Sequence, residues 1–447
     1  MPAAKLTLGK EIAYACGMVG WSIMTNLVIV VVHYFYLPPS HTGLTQLVPQ
    51  LLILNAINIL SIVDVSGRLI DAFYDPVIAS LSDRSNNTKG RRVPFMKWAI
   101  IPAVLFCCLI FYPPVKGVST HNALWLGCTM ALFFMGVTTY IIPYNALLPE
   151  MTENSAEKVK LSSFQQTGFV LGIILAALVN NYADVIQSMF HVTDRATAIQ
   201  YTVWGLCILA GIFMLVPVLA IDEKKLTASK PAHLPIMKAI RQTFKNHNFK
   251  YYLVSDFTFY ISLSIVSAGL LYFVKVLLGL PESKGGALMA AMVGGSLLFY
   301  PLINYLAKRI GKKPLVLFAF GMQSLVFILI YFLGKLPMSP VAQGFALSLT
   351  TAFPLAALGI LPNAILAEIA QIDARETGEN REGMFFAVKY FFVKLGQTFG
   401  FALFAFLTIY GINKGHDEGL RLNGLCGCAL CLIALIFFTR FREEKSK

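Results

Sequence analysis

Charge is what this sequence has least of. Lys, Arg, Asp and Glu together make up 13% of its 447 residues against 57% hydrophobic, and the mean hydropathy is +0.67. Soluble globular chains carry roughly 25% charged residues, so a soluble fold is excluded and lipid is the main solvent. Several chemistries are missing too. Val293-Gly-Gly-Ser296 has no Gly-Lys-Ser/Thr after it, which removes a phosphate-binding loop and ATP hydrolysis. His33, His121, His191, His233 and His416 stand alone, and the eight cysteines, nearly all within apolar runs, lack partners at zinc-ligand spacing. With no nucleophile, metal or phosphate motif, the chain is not read as an enzyme and no cofactor is expected.

What is present is a series of apolar runs. A helix needs about 20 such residues to cross the hydrocarbon of a bilayer. Runs of that kind fall at 13–36, 50–80, 95–113, 122–147, 162–185, 199–221, 250–277, 286–307, 314–334, 341–366, 386–410 and 422–440, twelve spans in all. The second is interrupted by Asp64, Arg68, Asp71 and Asp75, but its flanks keep it in the membrane. The first follows Lys5 and Lys10, is too long for a signal-peptide core and has no small-residue cleavage site, so it stays as a helix.

The net charge of +13 is distributed by loop rather than by surface. Arg84, Lys89, Arg91 and Arg92, then Lys224 to Lys245, then Lys308 to Lys313, then Arg440 to Lys447 fall on the side that also holds Lys5 and Lys10. The other side has scattered bases such as Lys116, Arg195, Lys284 and Lys335. The positive-inside rule puts the rich side, and with it both termini, in the cytoplasm, as an even number of spans requires. The bases therefore answer to a lipid bilayer and not to nucleic acid. The lack of targeting segments and long glycosylated loops fits a bacterial inner (plasma) membrane, with a monomer as the expected functional unit.

The longest polar stretch begins at Asp222 and divides the chain into a six-span half at 1–221, a cytoplasmic linker at 222–249 and a second six-span half at 250–447. The halves carry matching fragments. Pro143-Tyr-Asn-Ala-Leu-Leu-Pro-Glu150 recurs as Leu361-Pro-Asn-Ala-Ile-Leu-Ala-Glu368, pairing Asn145 with Asn363 and Glu150 with Glu368. Gly90-Arg-Arg-Val-Pro94 resembles Gly311-Lys-Lys-Pro314 at a similar offset of about 220 residues. Two parallel six-helix halves define the all-α major facilitator arrangement, with solute bound near the membrane midplane between them.

The second span carries the chemistry. Asp64, Arg68, Asp71 and Asp75 are spaced by four, three and four residues, which puts them on one helix face over about 16 Å of axis. Charges there are too costly to face lipid, so they face a cavity or one another. Asp71 and Asp75, one turn apart, suit a shared Na⁺ or a shared proton. The plainer alternative pairs Asp64 with Arg68 and leaves Asp75 lining a vestibule.

Arg68-Leu-Ile-Asp71-Ala-Phe-Tyr-Asp75-Pro76, followed by Asp83-Arg84 and Gly90-Arg-Arg-Val-Pro94, resembles the signature of the glycoside-pentoside-hexuronide:cation symporters, the family of melibiose-carrier type. The resemblance runs on through Pro143 to Glu150, Glu368, Asp373, Arg381-Glu-Gly383 and Lys394-Leu-Gly396. It implies a cation-coupled transporter of a sugar, glycoside or uronide, with Asp71, Asp75 and a helix-4 threonine, Thr138, binding Na⁺ or H⁺. It also implies an organising or gating role for Arg68 and a movable counter-charge at Lys394.

The galactoside-binding residues of that family are replaced here. Its helix-1 aspartate falls at about Ser22, its helix-4 aspartate and tryptophan at Ile141 and Asn145, and its helix-5 arginine at about Gln165. Ser22, Asn26, Asn145, Gln165, Gln166 and Gln397 are the neutral groups left for solute hydroxyls. Ile141 also suits the related lysophospholipid carriers, so a cation-dependent amphiphile carrier is the first alternative and a non-transporting receptor or sensor the second. Glu150 and Glu368 are expected to meet Arg84, Arg91 and Arg92, or Lys312 and Lys313, as gates, with Asp64 added to that group. Asp256 and Lys275 share the seventh span and are expected either to pair or to snorkel separately.

Overall fold

A computed structural model describes residues 6–38, 45–49, 52–53, 57–87, 90–223, 235–411, 413 and 415–443. The side chains of Asp64, Arg68 and Asp71 lie outside what it describes, although their backbone is placed. An apolar chain in lipid must satisfy every backbone group internally, which leaves helices as the economical solution. They are α1 (Leu8–Tyr36), α2 (Ile59–Asp83), α3 (Val93–Ile110), α4 (Thr120–Met151), α5 (Ser155–Ala177), α6 (Val179–Phe190), α7 (Arg195–Ala220), the short α8 (Ile236–Thr243), α9 (His247–Tyr272), α10 (Glu282–Ile310), α11 (Lys312–Phe332), α12 (Pro340–Thr377), α13 (Glu382–Thr408) and α14 (Glu418–Thr439).

Among the described residues, eleven helices are long and apolar enough to cross a membrane. The remaining expected span is α2, whose 25 residues suffice in length but whose charged face lowers its apolarity. This helix does not begin at residue 50 as expected. Leu52–Ile53 instead pairs antiparallel with Ile57–Asn58, a conformation that β-branched Ile53 and Ile57 favour, and the helix runs from Ile59 past Pro76 to Asp83. The fifth span is likewise longer than expected and is interrupted at Leu178, between α5 and α6.

The chain divides into two compact units. The first comprises Met1–Glu153, Phe164–Ala239 and Thr377–Ala387, and the second Asn154–Ser163, Ile240–Glu376 and Val388–Lys447. Within the first, α1 packs on α7, α3 on α4 and α7, and α2 on α4; within the second, α9 and α11 pack on α14. The pairings α9–α14 and α11–α14 repeat α1–α7 and α3–α7.

Small residues set how closely the helices approach. A Cβ at Gly168 of α5 would lie 2.4 Å from the Ala15 carbonyl oxygen of α1, and one at Gly172 would lie 2.4 Å from Ser22 Cβ. On α13, a Cβ at Gly400 would lie 2.4 Å from the Ile261 carbonyl oxygen of α9, and one at Gly396 would lie 3.0 Å from that of Phe257. Two Gly-x-x-x-Gly stripes thus bring α1 to α5 and α9 to α13, each within its own unit. α1 is further tied to α4 by Tyr14 and Tyr144, whose rings stack at 4.3 Å and whose hydroxyls each donate to the other residue's carbonyl.

Candidate functional site

The α2 face is positioned by α4. Thr139 Oγ1 donates to Tyr74 Oη at 3.3 Å, which puts the turn holding Asp75 level with the turn holding Thr138. Asp75 has no exposed surface, and Thr138 is buried in the same unit. Pro76 lacks an N–H, so the Ala72 carbonyl receives no helical hydrogen bond from it. A buried carboxylate, a threonine hydroxyl at the same level and a carbonyl one turn away are the hard oxygen donors that a small cation takes. Asp71, Arg68 and Asp64 share this helix, and their side chains lie outside the described residues.

The neutral polar candidates of the first unit are ordered by hydrogen bonds. Ser22 Oγ donates to the Phe169 carbonyl at 2.7 Å, across the α1–α5 contact, and Asn26 Nδ2 donates back to the Ser22 carbonyl at 2.8 Å. Gln165 Nε2 donates to Asn145 Oδ1 at 2.5 Å, with both residues buried and Ile141 buried one turn before Asn145. Gln166 is half-buried. Asn145 Nδ2 and Trp21 Nε1 are buried donors with no partner among the described residues. Trp21 escaped the sequence reading because a tryptophan in an apolar span looks like lipid-facing bulk until its N–H is seen to be buried.

In the second unit Lys394 and Gln397 are half-buried on α13. The cation whose charge acts on Asp256 is Lys389. Lys275 is exposed in the π-helical turn Phe273–Leu277 that follows α9, while Asp256 is buried and feels the charge of Lys389. Lys389 Nζ donates to Asn363 Oδ1 at 2.5 Å. The α12–α13 pair Asn363 and Lys389 therefore repeats the α4–α5 pair Asn145 and Gln165, with a cation in place of the amide.

The gating acids sit in two charge clusters built alike. In the first unit Arg92 has no exposed surface and ion-pairs with Asp83, with Glu150 at 3.0 Å and with Glu382 at 3.3 Å. Arg91 adds a contact to Glu150 at 2.7 Å. Burial opposes the charge of Arg92, yet the fields of Asp83, Glu150 and Glu382 hold its pKa above the usual value. Asp83 also accepts the backbone N–H groups of Gly383 and Met384, both at 3.1 Å, capping the positive end of α13. Glu223 accepts from the N–H groups of Arg91 at 2.6 Å and Val93 at 3.0 Å, capping α3. Burial, then the like charge of Glu150, pushes the Glu223 carboxyl above its ordinary value. Arg84 is exposed and outside this cluster.

In the second unit Lys312 Nζ meets Glu368 at 2.5 Å and Ser155 Oγ at 2.6 Å. Glu443 accepts from the N–H groups of Lys312 at 2.7 Å and Lys313 at 3.0 Å, capping α11 as Glu223 caps α3. Lys313 turns its Nζ to the Thr439 carbonyl instead of to Glu368. Gly90 and Gly311 precede the two caps at φ +114° and +87°, where a Cβ would lie 2.2 and 2.8 Å from the capping carboxylates. A glycine serves both the backbone conformation and the approach. The sequence showed Glu150, Glu368 and the basic loops as gates but not Glu223 or Glu443, whose partners lie about 130 residues away in the chain.

Helices in two repeat-related units, with a charged second span and paired charge clusters, define a membrane transporter of the major facilitator type. The chain belongs to the MFS/sugar transport protein family, which it matches over residues 13–442, and is a transporter and not an enzyme. It is 22% identical to a putative glycoside/cation symporter of Escherichia coli (strain K12), over 93% of this chain and 86% of that protein. It is 23% identical to the sodium-dependent lysophosphatidylcholine symporter 1 of Xenopus tropicalis, over 87% of this chain and 81% of that protein. The structure of a proton:xylose symporter superposes with a TM-score of 0.69 at 14% identity, over 97% of this chain and 95% of that one. The resemblance to glycoside:cation symporters drawn from the α2 motif is borne out.

Proposed function

We propose that the protein is a cation symporter for a small glycoside-type solute, in which Asp71 and Asp75 of α2, with Thr138 of α4, bind the coupling Na⁺ or H⁺. The observation that carries this is the burial of Asp75 at the level of Thr138, held by the bond between Tyr74 and Thr139. Ionisable side chains inside membrane spans are rare and mark ion pathways, which is the role a carboxylate buried in α2 supports. Coupling follows when cation and solute each favour the other's bound state. Ser22, Asn26, Asn145, Gln165, Gln166 and Trp21 supply the hydrogen-bonding groups that sugar hydroxyls require, with Arg68, Lys394 and Gln397 as further contributors. The basic loops place both termini in the cytoplasm, and Arg91, Arg92, Glu150 and Glu368 act as gates that stabilise one access state.

The test is a binding screen of the purified protein against glycosides, uronides and lysophospholipids, with and without Na⁺ and at two pH values. A cation-dependent shift with a glycoside or uronide is expected. A shift confined to lysophospholipids would instead support an amphiphile carrier, which the apolar Ile141 and the Xenopus relative favour. Binding without flux in vesicles would make the protein a receptor.

A further inference from the structure

A second ionisable cluster lies in the second unit, on helices that the α2 site does not use. Asp256 of α9 is 5% exposed and Tyr252, one turn earlier, 2%. Asp256 Oδ2 and Tyr252 Oη are both buried with no hydrogen-bond partner among the described residues. Both line one cavity of about 10 Å³, walled otherwise by Ser255 of α9, whose hydroxyl donates to the Tyr251 carbonyl, Val316 and Phe320 of α11, Pro362 and Ile365 of α12 and Phe438 of α14. The groups that act on Asp256 are few. Lys389 of α13 supplies the one charge that acts on it, Asp256 in turn acts on Tyr252 and Tyr260 of α9, which also feel Tyr390 of α13, and Asn363 of α12 holds the Lys389 ammonium. α11 and α14 present only apolar side chains to the cavity. Asp256 and Lys389 feel one another's charge but form no direct ion pair.

Two unpartnered polar atoms in one small cavity call for a common ligand, because an unsatisfied polar group away from water is costly. A cavity of this size holds one water, which needs two or more polar partners to stay. Tyr252 Oη donates to such a water and Asp256 Oδ2 accepts from it. A metal ion does not fit, since hard cations take about six oxygen ligands and beyond Asp256, Tyr252 and Ser255 the walls are hydrocarbon. We propose that Asp256, Tyr252 and one bound water form a proton-binding site in the second unit, with Lys389 as its counter-cation. A proton delivered through the water adds to Asp256 Oδ2 and takes that carboxylate from −1 to neutral, while Lys389 keeps its charge on Asn363. The pair passes from neutral to a net charge of +1, and the attraction between α9 and α13 is lost at the helices that meet along Gly396 and Gly400. The packing of the second unit thereby becomes pH-dependent. The site rests on no assignment made in α2.

Infrared titration of the full-length protein in lipid nanodiscs tests this without a transport substrate. The wild type should show a protonated-carboxyl band that grows on acidification and is missing in Asp256→Asn. Lys389→Gln should move its midpoint to higher pH by about one unit or more, as loss of a neighbouring positive charge does. Tyr252→Phe, which keeps the ring and the fold, should shift the band's frequency by removing the water's donor. The band should persist in the double variant Asp71→Asn, Asp75→Asn, so failure here is distinguishable from failure of the α2 reading. A wild-type spectrum identical to that of Asp256→Asn, a midpoint indifferent to Lys389→Gln, or a frequency unmoved in Tyr252→Phe would overturn the proposal.

Discussion

Arg92 shows how one side chain can hold three acids. Its guanidinium fork meets Asp83, Glu150 and Glu382 with no exposed surface, a geometry that a lysine ammonium cannot reproduce. Removing it leaves buried carboxylates uncompensated, which typically costs about 3–5 kcal/mol. Arg92→Met should therefore melt far below wild type, and Arg92→Lys should recover part of the loss. Arg84→Ala, at an exposed position outside the cluster, should stay within about 0.5 kcal/mol of wild type. Thermal unfolding in detergent followed by tryptophan fluorescence separates the three. Glu223 adds a pH test. Its folded pKa is raised by burial and by Glu150, so the associated stability is fully present below the unfolded value of about 4.3 and is lost as pH rises through the folded value. The stability of wild type relative to Glu223→Gln should accordingly fall as pH rises across that window.

At the scale of the helix, close approach is decided by glycine. Gly168→Ala and Gly400→Ala would each place a Cβ 2.4 Å from a backbone oxygen of the facing helix, and backbone cannot step aside as a side chain can. Each should lower stability by about 1–3 kcal/mol. Gly205→Ala, in α7 with nothing within 4 Å of the added carbon, should instead gain up to about 1 kcal/mol from helix propensity. The two signs are read in one denaturation series. The capping carboxylates belong to this scale as well: Glu443→Gln removes the charge at the start of α11 and should cost about 1 kcal/mol.

What was legible in the sequence followed from local spacing. The run of Asp64, Arg68, Asp71 and Asp75 announces one helix face because helical period is a short-range property, and Asn145 and Asn363 stand out because whole fragments around them repeat. The start of α2 was misplaced because an apolar stretch around Ile53 and Ile57 reads alike for strand and helix. Asp256 and Lys275 share a span and read as either a pair or two separate snorkelling charges, whereas the cation that acts on Asp256 is on α13, brought there by a glycine stripe whose partner helix the sequence does not name. Glu223 and Glu443 were missed for the same reason: a lone acid in a polar linker gives no sign that it caps a helix more than a hundred residues earlier.

At the scale of the whole molecule, the two units repeat one plan and differ where function needs them to. Both have a glycine-preceded helix capped by a distant carboxylate, and both have an asparagine that accepts from the next spanning helix. Only the first has the acidic face of α2, and only the second has the Asp256–Lys389 cluster. We propose that cation coupling belongs to the first. The most direct measurement is glycoside accumulation in vesicles reconstituted with wild type, Asp71→Asn or Asp75→Asn, under imposed Na⁺ and H⁺ gradients. Wild type should concentrate the solute under one of the two gradients, and both variants should reconstitute equally well yet fail to concentrate it. Full gradient-driven accumulation by both variants would contradict the assignment.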